Sequence, residues 1–308
     1  MESNAQRTSG DPIRIEDVGA YSIDMKTNKV TIGYDQIPRL IPNIDDVIGT
    51  NLDEGMEDFE DKYGGEKLES LLDFIKMQCK PGTDLKEHIQ ADFVTNRSTV
   101  LALITLKLRK IIAVREKGVI FLYNVTDDEF GASKAINVER YARVNKFEWI
   151  TSLGNRPHPN DNLIPAKVVF RATLKAGWRL YYSARIDGID DNGGYVEKKL
   201  SYISVNARNK SLKKTLDTFQ NCLSTTKTIL RGIYDKNAVL CEIERENVEI
   251  STIFPRLRVI ENNLMMIRRR LHHDGMAFNI YFEPDHSFKF EQLDESDLVP
   301  QDFLDHFI

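Results

Sequence analysis

The 308-residue chain is short of the features that mark several large protein classes. Its three cysteines (Cys79, Cys222, Cys241) lie far apart with no CxxC pair, so neither a disulfide framework nor a cysteine-based zinc site is indicated. No apolar run reaches the roughly 20 residues that a membrane-spanning helix needs. The polar start MESNAQRTSGDP has no signal-peptide core. An intracellular, reducing setting is therefore expected, nuclear or cytoplasmic, with the sequons at Asn96, Asn124 and Asn209 unused. Four catalytic signatures are also missing: GxxxxGK(S/T), GxGxxG after a strand, HExxH and GxSxG. Positive charge is scarce as well. With 42 Lys and Arg against 47 Asp and Glu, the net charge of −5 argues against coating nucleic acid by bulk electrostatics, though not against a local basic groove.

What is present reads as a globular α/β chain, with 41% hydrophobic and 29% charged residues. Residues 1–12 are expected to form a disordered tail. With no repeat and no long linker, residues 13–308 are expected to form one domain. EKLESLLDFIKMQCK (66–80) sets Leu68, Leu71, Leu72 and Ile75 on one helical stripe. SLKKTLDTFQNCLSTTKTIL (211–230) does the same with Leu212, Leu216, Phe219 and Leu223, behind Ser211 as an N-cap. A third helix, PRLRVIENNLMMIRRRLHH (255–273), stops near Gly275. Its basic end reads as a solvated face or as a contact for an RNA backbone. His272 and His273 suit its last carbonyls better than a metal. Strands are expected at EKGVIFLYNV, KVVFRATLKAGWRLYYSARID, AVLCEI, VEISTIF, AFNIYFEP and SFKFEQL. Together they predict a mixed β-sheet core flanked by helices.

The chemistry gathers in YYSARIDGIDDNGGYVEKKLSYISV (181–205), two strand-like runs around the turn cluster GIDDNGG. Alternation puts Arg185 and Asp187 on one face of the first run, and Glu197 and Lys199 on one face of the second. A hairpin would bring Asp187, Glu197 and Lys199 together. Two carboxylates can hold Mg²⁺ against a phosphate, and a nearby lysine can orient a metal-bound water or stabilise developing charge. Asp187, a gap of nine residues, then Glu197-x-Lys199 matches the D…(D/E)xK arrangement of many metal-dependent nucleases. An ordinary charged hairpin in solvent is the other account of the same residues.

The ordered series VGAYSID (18–24), NLDEGMEDFEDK (51–62), DFVTNRSTVLALI (92–104), NKFEWI (145–150), ARIDG (184–188), YVEKKLS (195–201) and Gln220 resembles the DXO/Rai family of RNA decapping nucleases. The resemblance runs from about residue 16 to the C-terminus. It implies a Mg²⁺- or Mn²⁺-dependent hydrolase of RNA 5′ ends, whether incompletely capped, NAD-capped or triphosphate, with 5′–3′ exonuclease activity in many members. By the same resemblance Arg97 lies close to the 5′ phosphates, where a guanidinium offers a fixed fork of donors. The resemblance also implies a metal shell of Glu148, Asp187, Glu197 and the Lys198 carbonyl, with Lys199 and Gln220 near the reacting phosphate. Val144 replaces a family glycine, and Arg185 replaces a metal-site glutamate. Three readings follow: an active hydrolase, a degenerate member that binds 5′ ends with Arg185 neutralising phosphate, or a partner of a separate 5′–3′ exoribonuclease.

Overall fold

The computed structural model describes residues 13–24, 26–59, 67–104, 109–125, 135–154, 158–159, 165–203, 216–248, 253–282 and 287–308; the tail expected over 1–12 and the Ser211 cap lie outside them. The described strands form two sheets. In spatial order the larger runs β15 (Phe288–Leu293), β14 (Ala277–Phe282), β5 (Arg109–Glu116), β6 (Val119–Val125), β4 (Phe93–Asn96), β9 (Arg179–Arg185), β8 (Ala166–Leu174), β1 (Ile13–Asp24) and β2 (Lys29–Ile32). The smaller runs β13 (Leu240–Asn247), β12 (Thr228–Tyr234), β11 (Tyr195–Tyr202), β10 (Gly188–Ile189), β3 (Arg39–Leu40) and β7 (Ser152–Leu153).

Both faces of the larger sheet are apolar, so both must be covered. Along β6, Ile120 and Leu122 face one core while Val119, Phe121 and Tyr123 face another, and the whole strand is buried. The first core is closed by α3 (Arg97–Ala102), α5 (described over 216–223) and α6 (Phe254–Arg270), through Val100, Phe219, Leu223, Leu257 and Leu264. The second is closed by α1 (Glu69–Met77), α2 (Leu85–Ile89) and α7 (Gln301–Leu304), through Leu71, Ile75, Ile89 and Phe303. The expected stripe on 66–80 is thus a packing face.

Helix α4 (Ala135–Ile150) covers the smaller sheet, with Phe147 and Val144 against Leu52, Leu200 and Leu240. The approach is close. A Cβ on Gly232 of β12 would lie 2.8 Å from the Phe147 ring. Arg143 of α4 also grips Asp53 with two donors at 2.6 and 2.8 Å, so part of the NLDEGMED motif serves to moor this helix.

Two elements differ from their sequence expectation. Residues 211–230 are not one helix: α5 stops at 223, Thr225 takes a φ of 52°, and Thr228 starts β12. The run STTKT is polar and rich in β-branched residues, which lose side-chain freedom in a helix. Leu216 is 36% exposed, so the buried face of α5 is Phe219, Cys222 and Leu223. Of the strand expected at VEISTIF, residues 249–252 lie outside the described residues, and Val248, Ile253 and Phe254 are not in a strand. β13 ends at Asn247, and Phe254 already belongs to α6, whose first turn carries Pro255, where a missing N–H costs nothing. At the other end of α6, Arg268 lies over the Trp178 ring and Arg270 over Phe290, and His272 contacts the Arg270 carbonyl.

These assignments set stability orders that urea denaturation measures. Phe219→Ala should cost about 3–5 kcal/mol, and Leu216→Ala under about 1 kcal/mol. Equal losses would reverse the face given to α5. Gly232→Ala should cost about 1–3 kcal/mol by overpacking against Phe147, and a silent substitution would show that α4 has room to move.

Candidate active site

Strand direction decides where the charged residues meet. β4 and β9 run parallel, with Asn96 opposite Ser183, so both strands end at the same edge of the larger sheet. Arg97 follows there as the first residue of α3, whose N-cap Asn96 accepts from the Thr99 N–H at 2.9 Å. Arg185 ends β9 at the same edge. The chain then changes sheet within two residues: Ile186 N–H still donates to the Ala166 carbonyl of the larger sheet, while Gly188 already pairs with Val196 of the smaller. Asp187 sits on that seam.

The hairpin expected over 181–205 is therefore shorter. Residues 181–185 pair with β8 and β4, and only β10 folds back on β11. Its turn is held by Asp190, whose carboxylate accepts from the N–H groups of Asn192 and Gly194 at 2.9 and 2.8 Å. On β11, Glu197 and Lys199 face one side, and Lys199 Nζ donates to Glu197 Oε1 at 2.7 Å. Gln220 of α5 joins them, donating to Glu197 Oε1 at 2.5 Å and accepting from Lys199 at 3.1 Å. Arg97 Nη1 closes the other side of the carboxylate, 3.1 Å from Glu197 Oε2 and 3.0 Å from Ser224 Oγ. Arg97, Glu197, Lys199 and Gln220 thus form one bonded group.

Lys198 points the other way and is buried. Its Nζ donates to the Glu148 carbonyl at 3.0 Å and to Ser152 Oγ at 2.7 Å, satisfying the C-terminal turn of α4. Its backbone N–H donates to Asp187 Oδ2 at 3.0 Å. One residue therefore ties the helix that presents Glu148 to the seam that presents Asp187. The sequence held a sign of this, a lysine alternating with Val196 and Leu200 on an inward strand face, which must find acceptors. Ser224 and Ser152, whose partners come from distant elements, gave none.

Arg185 decides the character of the site. Its Nη2 lies 2.6 Å from Glu148 Oε1 and 3.3 Å from Asp187 Oδ1, so one guanidinium nitrogen bridges the two carboxylates. The metal shell implied by the resemblance would have Glu148, Asp187 and Glu197 share a single ion. Instead Arg185 takes two of them, and Arg97 and Lys199 take the third. Among the described residues no group of three or more His, Cys, Asp or Glu side chains is arranged to hold a metal. A divalent ion about 5 Å from the guanidinium would meet about 7 kcal/mol of repulsion at an effective dielectric of about 20. The donor set in this arrangement does not fit a divalent ion.

Burial raises the cost of ionising Glu197, yet the charges of Arg97 and Lys199, the Lys199 hydrogen bond and the charge of Arg185 outweigh it, lowering its pKa from 4.5 to about 2. A depressed carboxyl pKa stabilises the fold above the ordinary value, and that stabilisation fades as pH falls from 4.5 towards 2. The stability gap between wild type and Glu197→Gln should therefore be widest above pH 4.5 and narrow below it. Urea midpoints that run parallel for the two proteins across this window would show that Glu197 is not held ionised.

Comparison with known proteins agrees with this architecture. The model of the RAI1-like PD-(D/E)XK nuclease family matches residues 14–304. Decapping nuclease dom-3 of Caenorhabditis elegans is 28% identical over 177 residues, covering 49% of this chain and 45% of that protein, so the match spans less than half of this curated relative. Two solved structures share the fold at low identity. Scheffersomyces stipitis Rai1 in complex with (3′-NADP)⁺ and calcium ion superposes with a TM-score of 0.72 at 14% identity, over 91% of this chain and 89% of that one. Candida albicans Rai1 in complex with pU5-Mn²⁺ gives 0.71 at 16% identity, over 98% and 96%. With nearly its whole length matched by the family model, this chain belongs to the RAI1-like PD-(D/E)XK nuclease family.

Proposed function

We propose that this chain binds RNA 5′ ends at the edge where β4 and β9 finish beside β11, with Arg97, Arg185 and Lys199 as the cations that meet the 5′ phosphates. The observation that carries the reading is the gathering of two bonded groups of charged side chains at this edge. Arg97, Glu197, Lys199 and Gln220 form one bonded group and Glu148, Arg185 and Asp187 a second, and the seven come from five separate stretches of chain to one place. Relatives of this fold have been solved with pU5 and with (3′-NADP)⁺, which supports a nucleotide or RNA end as the ligand class. Phosphate suits these side chains, since guanidinium groups offer paired donors and keep their charge.

A second reading, hydrolysis of the bound end by decapping or pyrophosphate removal, draws support from the Glu197–Lys199–Gln220 group, which keeps an ionised carboxylate beside a lysine and an amide. Incubation with triphosphate, NAD-capped and guanosine-capped RNA, with Mg²⁺ or Mn²⁺ and without, tests it directly through released product.

The binding reading is tested with 5′-monophosphate and 5′-hydroxyl forms of one oligonucleotide. Wild type should prefer the phosphorylated end. Arg97→Lys keeps a cation against Glu197 but loses the fork, and should cut that preference by about tenfold, or about 1.4 kcal/mol. Equal loss on both RNAs would place Arg97 in the scaffold or against the body of the strand.

A further inference from the structure

The four cations around this site are not equivalent. Lys198 serves α4, and Arg97 and Lys199 serve Glu197. Arg185 alone bridges two carboxylates from different elements, Glu148 from the helix over the smaller sheet and Asp187 from the seam. Both acids are nearly buried, with side chains 10% and 3% exposed, whereas the arginine keeps 34% of its own surface open. The arginine is therefore held to both acids through Nη2 while part of its side chain reaches solvent. A cation held by two buried acids and still in part exposed can also meet an anion such as phosphate. A divalent ion in a nuclease site occupies the same relation to its carboxylates and to phosphate.

Resting on the 5′-end reading above, we propose that Arg185 is the site's resident cation: it stands between Glu148 and Asp187 in place of a divalent ion, so the chain retains RNA 5′ phosphates without metal and leaves them uncleaved. Four features support this. The short contact to Glu148 and the longer one to Asp187 put one positive charge between the two acids. Glu197, the remaining carboxylate, has both oxygens engaged by Arg97, Lys199 and Gln220. The chain path fixes Arg185, as the last residue of β9 and paired with Lys167 of β8, so its backbone cannot drift from the seam. An arginine also cannot lose its proton to make way for a metal.

The test separates the cation from the ligand. Mn²⁺ is titrated into RNA-free protein and followed by its electron paramagnetic resonance signal, for wild type, Arg185→Glu and Arg185→Ala. Wild type should bind Mn²⁺ only weakly, and Arg185→Glu at least about tenfold more tightly, the least expected from a two-unit change of nearby charge. Arg185→Ala removes the positive charge that lies between Glu148 and Asp187. Mn²⁺ should raise its melting temperature and not that of wild type, a readout that holds even where Arg185→Glu folds poorly. In parallel, 5′-monophosphate RNA should bind wild type equally with and without chelator, and bind Arg185→Ala about tenfold more weakly. Wild-type Mn²⁺ binding as tight as that of Arg185→Glu, loss of RNA on chelation, or metal-dependent cleavage by wild type would each overturn the proposal. Equal binding of 5′-phosphate and 5′-hydroxyl RNA would instead refute the 5′-end reading, with the Mn²⁺ titration still deciding the place of Arg185.

Discussion

A carboxylate taken out of water must be met by a cation or give up its charge. Glu148, Asp187 and Glu197 are each more than nine-tenths buried, and everything around them follows from that demand. Arg97 at the start of α3, Arg185 at the end of β9 and Lys199 on β11 are drawn in to meet it. The partners come from different elements, so neutralising the acids also fastens the larger sheet, the smaller sheet, α3, α4 and α5 to one another. Breaking one partner of a buried pair typically costs about 3–5 kcal/mol, and for this reason the site is also a structural joint.

The joint works because the chain changes sheet at Ile186 and Asp187. Had β9 turned back directly on β11, Arg185 and Asp187 would stand on an open hairpin, exposed to water. Instead β9 is held between β4 and β8, and β10 starts only after the crossing. Parallel pairing of β4 and β9 brings Arg97 to the same edge, in keeping with the general placement of ligand sites at the carboxyl ends of parallel strands. Lys198 completes the arrangement from behind, with its side chain on the last turn of α4 and its backbone N–H on Asp187.

Membership in a nuclease family and the local charge pattern point in different directions at one position. The scaffold, the Glu197–Lys199–Gln220 group and the presentation of Glu148 and Asp187 all suit phosphate chemistry. Arg185 converts the place between Glu148 and Asp187 from one that lacks positive charge into one that already has it. A guanidinium can bind phosphate as a metal does, through donors in a fixed plane. It cannot activate a water, because it holds its proton at every accessible pH.

Much of this was legible in the sequence, because it depends on short-range pattern. Alternation in 195–201 put Glu197 and Lys199 on one face, the stripe on 66–80 gave α1, and the ordered motifs gave the family and with it the mixed α/β architecture. The seven side chains singled out fall into two neighbouring bonded groups, Arg97–Glu197–Lys199–Gln220 and Glu148–Arg185–Asp187. The sequence also named the position that breaks the pattern, since Arg185 is visible as a residue type. Its orientation was not. Local geometry allowed that side chain to bend outward as readily as inward, and only the burial of Glu148 on α4, 37 residues earlier, turns it in. The same limit explains the overextended hairpin and the overlong helix at 211–230. Periodicity shows that a strand or helix can form, but which sheet claims residues 181–185, and where the helix ending at 223 gives way to β12, depend on partners far along the chain. Residue types and spacings set what this protein is built from; the meeting of two sheets at Asp187 decided which cation its carboxylates would hold.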